Sequence, residues 1–122
     1  MVFVSNGLDF YIDHILRKAG FADLEFHASI TEFTPSGMKL RHRGPDDNYI
    51  DSDVKAAYAD SFIEQGYDVV YLGDGRSDLD PARRCTHIFA TGSLISYCED
   101  EHLSCITFND FYRVMDEMES LL

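Results

Sequence analysis

The sequence predicts an α/β fold, a mostly parallel sheet with flanking helices, on three observations. Strand-like and helix-like apolar periodicities alternate from one end to the other. The run Val69-Val70-Tyr71-Leu72 is apolar without alternation, as a strand covered on both faces must be. Gly-bearing breaks fall between the periodic segments, at Asn6-Gly7, Gly20, Gly37, Gly66 and Gly73. At 122 residues the chain has the length of one core, so a single domain over 1–122 is expected. With 45% hydrophobic and 13% aromatic residues it can fill that core.

Val2-Phe3-Val4 is a short strand, broken by Ser5-Asn6-Gly7. Leu8, Tyr11, Ile12, Ile15, Leu16 and Ala19 then fall at the three-and-four spacing of an amphipathic helix, with Arg17 and Lys18 in its last turn and Gly20 as a left-handed cap. Leu24 to Ile30 alternates apolar and polar side chains as a half-buried strand, with Leu24, Phe26, Ala28 and Ile30 on the apolar side. Thr34-Pro35-Ser36-Gly37 is a turn, and Met38 to His42 the returning strand of a hairpin. The polar stretch Arg43 to Asp51 is expected as a surface loop. Ser52 can cap a helix with an apolar face of Val54, Ala57, Tyr58 and Phe62, ended by Gly66. After the buried strand at 69–72 come a loop, a short helix through Pro81-Ala82-Arg83-Arg84, a strand His87-Ile88-Phe89-Ala90, a helix Ser93 to Glu101 and a short strand Cys105-Ile106. A last helix from Asn109 carries Phe111, Val114, Met115, Met118 and Leu122 along one side, the expected core-covering face.

Charge narrows the function. With 22 acidic and 10 basic residues the net charge is −12, a field that repels phosphate backbones and anionic lipid. Neither nucleic acid nor a membrane is an expected partner, and no run reaches the ~18 apolar residues of a spanning helix. Cys85, Cys98 and Cys105 are odd in number and lack CxxC spacing, so buried or half-buried free thiols in a reducing cytoplasm are expected. The five histidines are scattered without ligand spacing.

Ligands of open α/β sheets bind at the carboxyl ends of strands, and two loops there carry chemistry. Ser5-Asn6-Gly7 offers a hydroxyl and backbone N–H groups at a helix start, the parts of an anion site or of an ordinary helix cap. Gly73-Asp74-Gly75-Arg76-Ser77-Asp78 follows the most apolar strand and holds two carboxylates four residues apart. Hard oxygens so placed suit Mg²⁺, and equally an acidic turn. Lys55 is one of few lysines and stands near a helix start; it either faces a phosphate or lies solvated on the helix.

Taken in order, Ser5-Asn6-Gly7-Leu8-Asp9-Phe10, Lys55 and Gly73-Asp74-Gly75-Arg76-Ser77-Asp78 resemble the second, third and fourth motifs of the haloacid dehalogenase-like phosphohydrolases. Within that family the likeness is to the phosphoserine-phosphatase-like branch that includes the methionine-salvage phosphatase. Thr86 to Ala90 and Phe108-Asn109-Asp110-Phe111 extend the similarity along nearly the whole chain. The resemblance implies a Rossmann-like core, Mg²⁺ as cofactor and a phosphorylated small molecule as substrate. It implies that Ser5, with backbone N–H groups around Asn6 and Gly7, binds the transferring phosphoryl group and that Lys55 neutralises it. Asp74 would contact the metal, and Asp78 would support the metal shell directly or by orienting Lys55 and waters.

One part of the pattern is absent. Family members open with Asp-x-Asp-x-Thr, whose first Asp attacks phosphorus and whose second is acid and base. Asp51-Ser52-Asp53 is a near match in spacing, but it precedes a helix without a buried strand before it. The resemblance therefore implies a truncated core over 1–122 that lacks the family's first, central strand and its cap. Such a chain is expected to be inactive alone. The strands ending at Ser5 and Gly73 would border the vacancy, and either pair with each other or take a strand from a second copy or a partner chain. Other readings are a non-catalytic module that binds Mg²⁺ or a phosphometabolite, and a structural subunit. A flavodoxin-like receiver or nucleotide domain lacks its acidic pair, GxGxxG or P-loop here.

Overall fold

The computed structural model describes residues 1–121, so Leu122 of the expected C-terminal apolar row lies outside the described residues. In chain order the elements are β1 (Val2–Leu8), α1 (Asp9–Lys18), β2 (Glu25–Thr34), β3 (Gly37–Arg43), β4 (Tyr49–Ile50), α2 (Val54–Glu64) and β5 (Val70–Gly73). A 3-10 turn (Arg76–Asp78) follows, then α3 (Leu79–Arg84), β6 (His87–Ala90), α4 (Leu94–Asp100), β7 (Ile106–Thr107) and α5 (Phe111–Leu121). The class is α/β with parallel strands and flanking helices, as the alternation predicts. The strands form two sheets, β1-β2-β3-β4 and β5-β6-β7, and the chain divides into two compact units, Met1–Tyr58 and the remainder from Ala59.

In the first unit β1 runs parallel to β2, while β2–β3 and β3–β4 are antiparallel. The expected hairpin closes at Thr34 and Gly37, where the Thr34 hydroxyl donates to the Gly37 carbonyl at 2.8 Å. The segment expected to be wholly loop contains β4. Asp46 folds the intervening turn by accepting from both the backbone N–H (3.2 Å) and the side-chain amide (2.9 Å) of Asn48, which holds its carboxyl below the usual range. The chain then returns along β3, with the Arg41 and Arg43 guanidinium carbons 5.2 and 5.3 Å from the Tyr49 ring centre. Gly20 ends α1 at φ +86°, letting the Phe21 N–H reach the Leu16 carbonyl at 2.8 Å.

The expected amphipathic helix forms as α1, with Arg17 and Lys18 in its last turn, and none of its residues is buried. One expectation for this unit is corrected. Ser29, expected on the polar side of β2, is wholly buried. Its hydroxyl answers a backbone carbonyl of β1, and a satisfied polar group tolerates burial where an unpaired one does not.

The second unit holds a conventional core. β5, β6 and β7 are all parallel, with Val70 opposite His87 and Phe89 opposite Ile106. Leu79, Ala82, Ile88, Ala90, Leu94 and Cys98 cluster in its interior, with Tyr71, Leu103 and Cys105 packed against them. The three cysteines are free, Cys98 buried and the others partly so, as expected. Burial raises the Cys85 and Cys98 thiols to about 11, which keeps both protonated. The expected covering face of α5 is corrected: Val114 is buried, but Phe111 and Met115 are 65% and 62% exposed. An apolar stripe states which side of a helix is oily, and coverage of that side is a separate matter.

Candidate functional site

The second unit positions the acidic loop at the carboxyl end of β5. Asp78, only 3% exposed, turns back over the loop that precedes it. One carboxylate oxygen accepts from the backbone N–H groups of Asp74 (2.9 Å) and Gly75 (3.0 Å). The other accepts from the Tyr71 phenol at 2.7 Å. Gly73 makes room for this fold-back, because a Cβ there would lie 2.6 and 2.7 Å from the Asp78 Cβ and Cγ. Burial first, and then the hydrogen bond to Asp78, hold the Tyr71 phenol protonated far above its ordinary range. Asp78 is thus the internal brace of the loop, and Asp74 remains its exposed carboxylate.

A third loop fastens the same segment. The Asp74 carbonyl accepts from the Leu94 N–H at 3.2 Å and the Ser93 hydroxyl at 3.4 Å, while the Thr91 N–H bonds the Gly73 carbonyl at 3.1 Å. Gly92 adopts φ +55°, and a Cβ on it would come within 2.7 Å of the Asp74 carbonyl oxygen, so both its conformation and its contact demand glycine. Arg76 extends over the Tyr97 ring, 5.4 Å from its centre.

In the first unit Ser5-Asn6-Gly7 is a break in the β1–β2 ladder. Val4 pairs with His27, yet the next partners are Leu8 and Ser29, so β1 spends extra residues between them. The Ser5 hydroxyl accepts from the Gly7 N–H at 3.0 Å, which uses that N–H internally and leaves the hydroxyl proton to donate elsewhere. Asp9 opens α1, and one of its oxygens accepts from the N–H of Phe10 (2.8 Å) and of Thr31 (3.3 Å). Lys55 stands half-buried in the first turn of α2. Asp51-Ser52-Asp53 is an exposed turn with Asp53 at φ +58°; the strand directly before it, β4, is two residues long, antiparallel to β3 and not buried, unlike the buried strand that a nucleophile motif follows. Asp78-Leu79-Asp80 repeats the Asp-x-Asp spacing, but Asp78 is spent on the loop and Asp80 pairs with Arg84 at 3.1 Å.

Tyr71, Gly92, Ser93 and Ser29 are the residues that motif reading missed. Tyr71 carries the polar group of an otherwise apolar strand, and a buried phenol needs a partner. Gly92-Ser93 follows β6 at its carboxyl end, the same position that singled out the other two loops.

Mg²⁺ takes one or two carboxylates and keeps several waters, so the exposed Asp74 fits it as a ligand. Asp78 fits a supporting place, since its oxygens already serve Tyr71 and the loop backbone. Among the described residues no group of three or more His, Cys, Asp or Glu side chains could enclose a metal by itself. No helix among them is long and apolar enough to cross a membrane.

No family model matches the chain. Curated relatives do. A 2-hydroxy-3-keto-5-methylthiopentenyl-1-phosphate phosphatase of Exiguobacterium sibiricum is 23% identical over 120 residues, covering 96% of this chain and 54% of the relative. Enzymes of the same name from Bacillus cereus and Bacillus thuringiensis subsp. konkukian are 24% and 27% identical, each covering 98% of this chain and 55% of the relative. The chain spans about half the length of the curated relatives it matches. Over that half, the C-terminal part of each relative, the chain is similar to these phosphatases named for 2-hydroxy-3-keto-5-methylthiopentenyl-1-phosphate, which are haloacid dehalogenase-like enzymes.

Proposed function

We propose that this chain carries the phosphate- and metal-contacting portion of a Mg²⁺-dependent phosphomonoester phosphatase acting on a phosphorylated small molecule. The observation that carries the reading is the braced loop at the carboxyl end of β5, which leaves Asp74 exposed while Asp78 fixes the backbone around it. Ser5 donates its hydroxyl proton to a phosphoryl oxygen, with the Asn6 backbone beside it, and Lys55 supplies a compact positive charge to the same group. Bound Mg²⁺ would be held by Asp74 and would neutralise phosphoryl charge. Asp78 acts on that site through the loop. The free thiols suit a reducing cytoplasmic setting.

The sequence contains no Asp-x-Asp-x-Thr, so the 122-residue polypeptide lacks an attacking carboxylate and is expected to be inactive alone. The test is p-nitrophenyl phosphate hydrolysis with Mg²⁺, alongside calorimetry with inorganic phosphate. Phosphate binding that strengthens with Mg²⁺ and weakens in Asp74→Asn, without turnover, is the expected result. Turnover at ordinary enzyme rates that Asp74→Asn abolishes would overturn the inactivity; indifference of phosphate binding to both Mg²⁺ and Asp74→Asn would overturn the site.

A second reading, a subunit completed by a strand from elsewhere, is favoured by one feature. β1 and β5 are each the terminal strand of their sheet, so each has one edge without a strand beside it among the described residues. Light scattering separates the cases: a mass near 13.9 kDa excludes self-completion at the concentration used, and a multiple of it supports a second copy.

A further inference from the structure

We propose that Ser29, backed by His42, is a positioning residue that sets the shape of the Ser5-Asn6-Gly7 bulge; its value for phosphate binding rests on the function proposed above. Among the strands and helix α1 of the first unit, Ser29 is the one residue fully withdrawn from solvent, and it is polar. Its hydroxyl donates to the Asn6 carbonyl at 2.9 Å and lies 3.2 Å from the His42 Nδ1. A serine hydroxyl has one proton. Since that proton goes to Asn6, the bond to His42 requires the imidazole to donate from Nδ1, so His42 holds the hydroxyl oxygen while Ser29 holds the bulge. The register that pairs Ile30 with Arg41 sets Ser29 directly opposite His42. The result is a line of hydrogen bonds across three neighbouring strands, from His42 of β3 through Ser29 of β2 to Asn6 of β1.

Its position explains its use. The β1–β2 ladder is interrupted between Val4 and Leu8, where carbonyls cannot all find regular partners. Ser29 supplies by side chain the bond that the ladder omits, and Asp9 does the same for the Thr31 N–H at the far side of the break. The bulge is thereby fixed at both ends, and the Ser5 hydroxyl, tied to the Gly7 N–H, takes its direction from it.

Ser29→Ala and His42→Phe, singly and together, test the line in the whole chain. Amide hydrogen exchange at Asn6, Gly7 and Leu8 should accelerate on the order of tenfold in Ser29→Ala, the worth of one buried hydrogen bond, with exchange along β5 and β6 unchanged. His42→Phe should give a smaller acceleration, and the double variant should match Ser29→Ala, because His42 acts through the hydroxyl. Exchange at the bulge left at its wild-type rate in Ser29→Ala, or effects that simply add in the double variant, would overturn the proposal. Titration with inorganic phosphate and Mg²⁺ is the second arm. Weaker phosphate binding by a similar factor in Ser29→Ala supports the role. Wild-type protein that binds no phosphate refutes the functional reading, while the exchange data still decide whether Ser29 shapes the bulge.

Discussion

The two units of this chain solve the same problem with different means. In the unit from Ala59 onward, a cluster of apolar side chains is withdrawn from water, with Phe89, Leu94 and Cys98 at 0% exposure. In the Met1–Tyr58 unit no residue of α1 is buried, Phe10 and Ile15 remain 52% and 43% exposed, and the fully buried member of its sheet is a serine. One loop is therefore mounted on a packed base and stiffened by a buried carboxylate. The other is mounted on a lightly covered sheet and held by side-chain hydrogen bonds across strands. Packing gives rigidity in bulk; a few directed bonds give it only where they point.

Deleting apolar volume should expose the contrast most. Phe89→Ala is expected to cost about 3–5 kcal/mol, whereas Ile15→Ala in α1 should cost less than about 1 kcal/mol. Urea melts of the two variants check this, and equal losses would break the comparison. Next comes Gly73→Ala, whose added methyl collides with Asp78 and should cost roughly 1–3 kcal/mol. Tyr71→Phe should cost about 1–2 kcal/mol by removing the phenol that serves the buried Asp78 oxygen. Tyr71 also predicts an alkaline limit. Its folded pKa lies above the ordinary value, so its contribution is complete below pH 10 and is lost as pH rises beyond, where the unfolded phenol ionises and the folded one does not. Stability should decline there by up to about 1.4 kcal/mol per pH unit for this group, and less steeply in Tyr71→Phe. The mildest contrast is dynamic: amides of β5 and β6 should exchange more slowly than those of β1 and α1.

Much of this was legible beforehand. The apolar run at 69–72 and the strand at 87–90 announce themselves by composition, although the first forms β5, a half-buried strand at the end of its sheet and not one covered on both faces, and Gly-Asp-Gly-x-Ser-Asp after it marks the loop that the structure braces. What sequence could not supply is coverage and partnership. The stripes of α1 and α5 are amphipathic whether or not anything lies over them, and Ser29 sits at a position whose alternation reads as solvent-facing. For Asp78 the motif implies a place in a metal shell; that it spends its oxygens on Tyr71 and on two backbone N–H groups depends on a chain reversal that spacing does not encode. The division into two units is likewise set by contacts rather than by a linker, since the sequence has no Pro- or Ser-rich seam near residue 58.

The fold-back of Asp78 onto Gly73 makes these two positions a lock and its key. The hollow left by a missing side chain is filled by a carboxylate of one particular reach, so lengthening Asp78 to Glu is not a mild exchange even though the charge survives. Anyone transplanting this loop to another scaffold must carry both residues, and the tyrosine beneath them, as one piece.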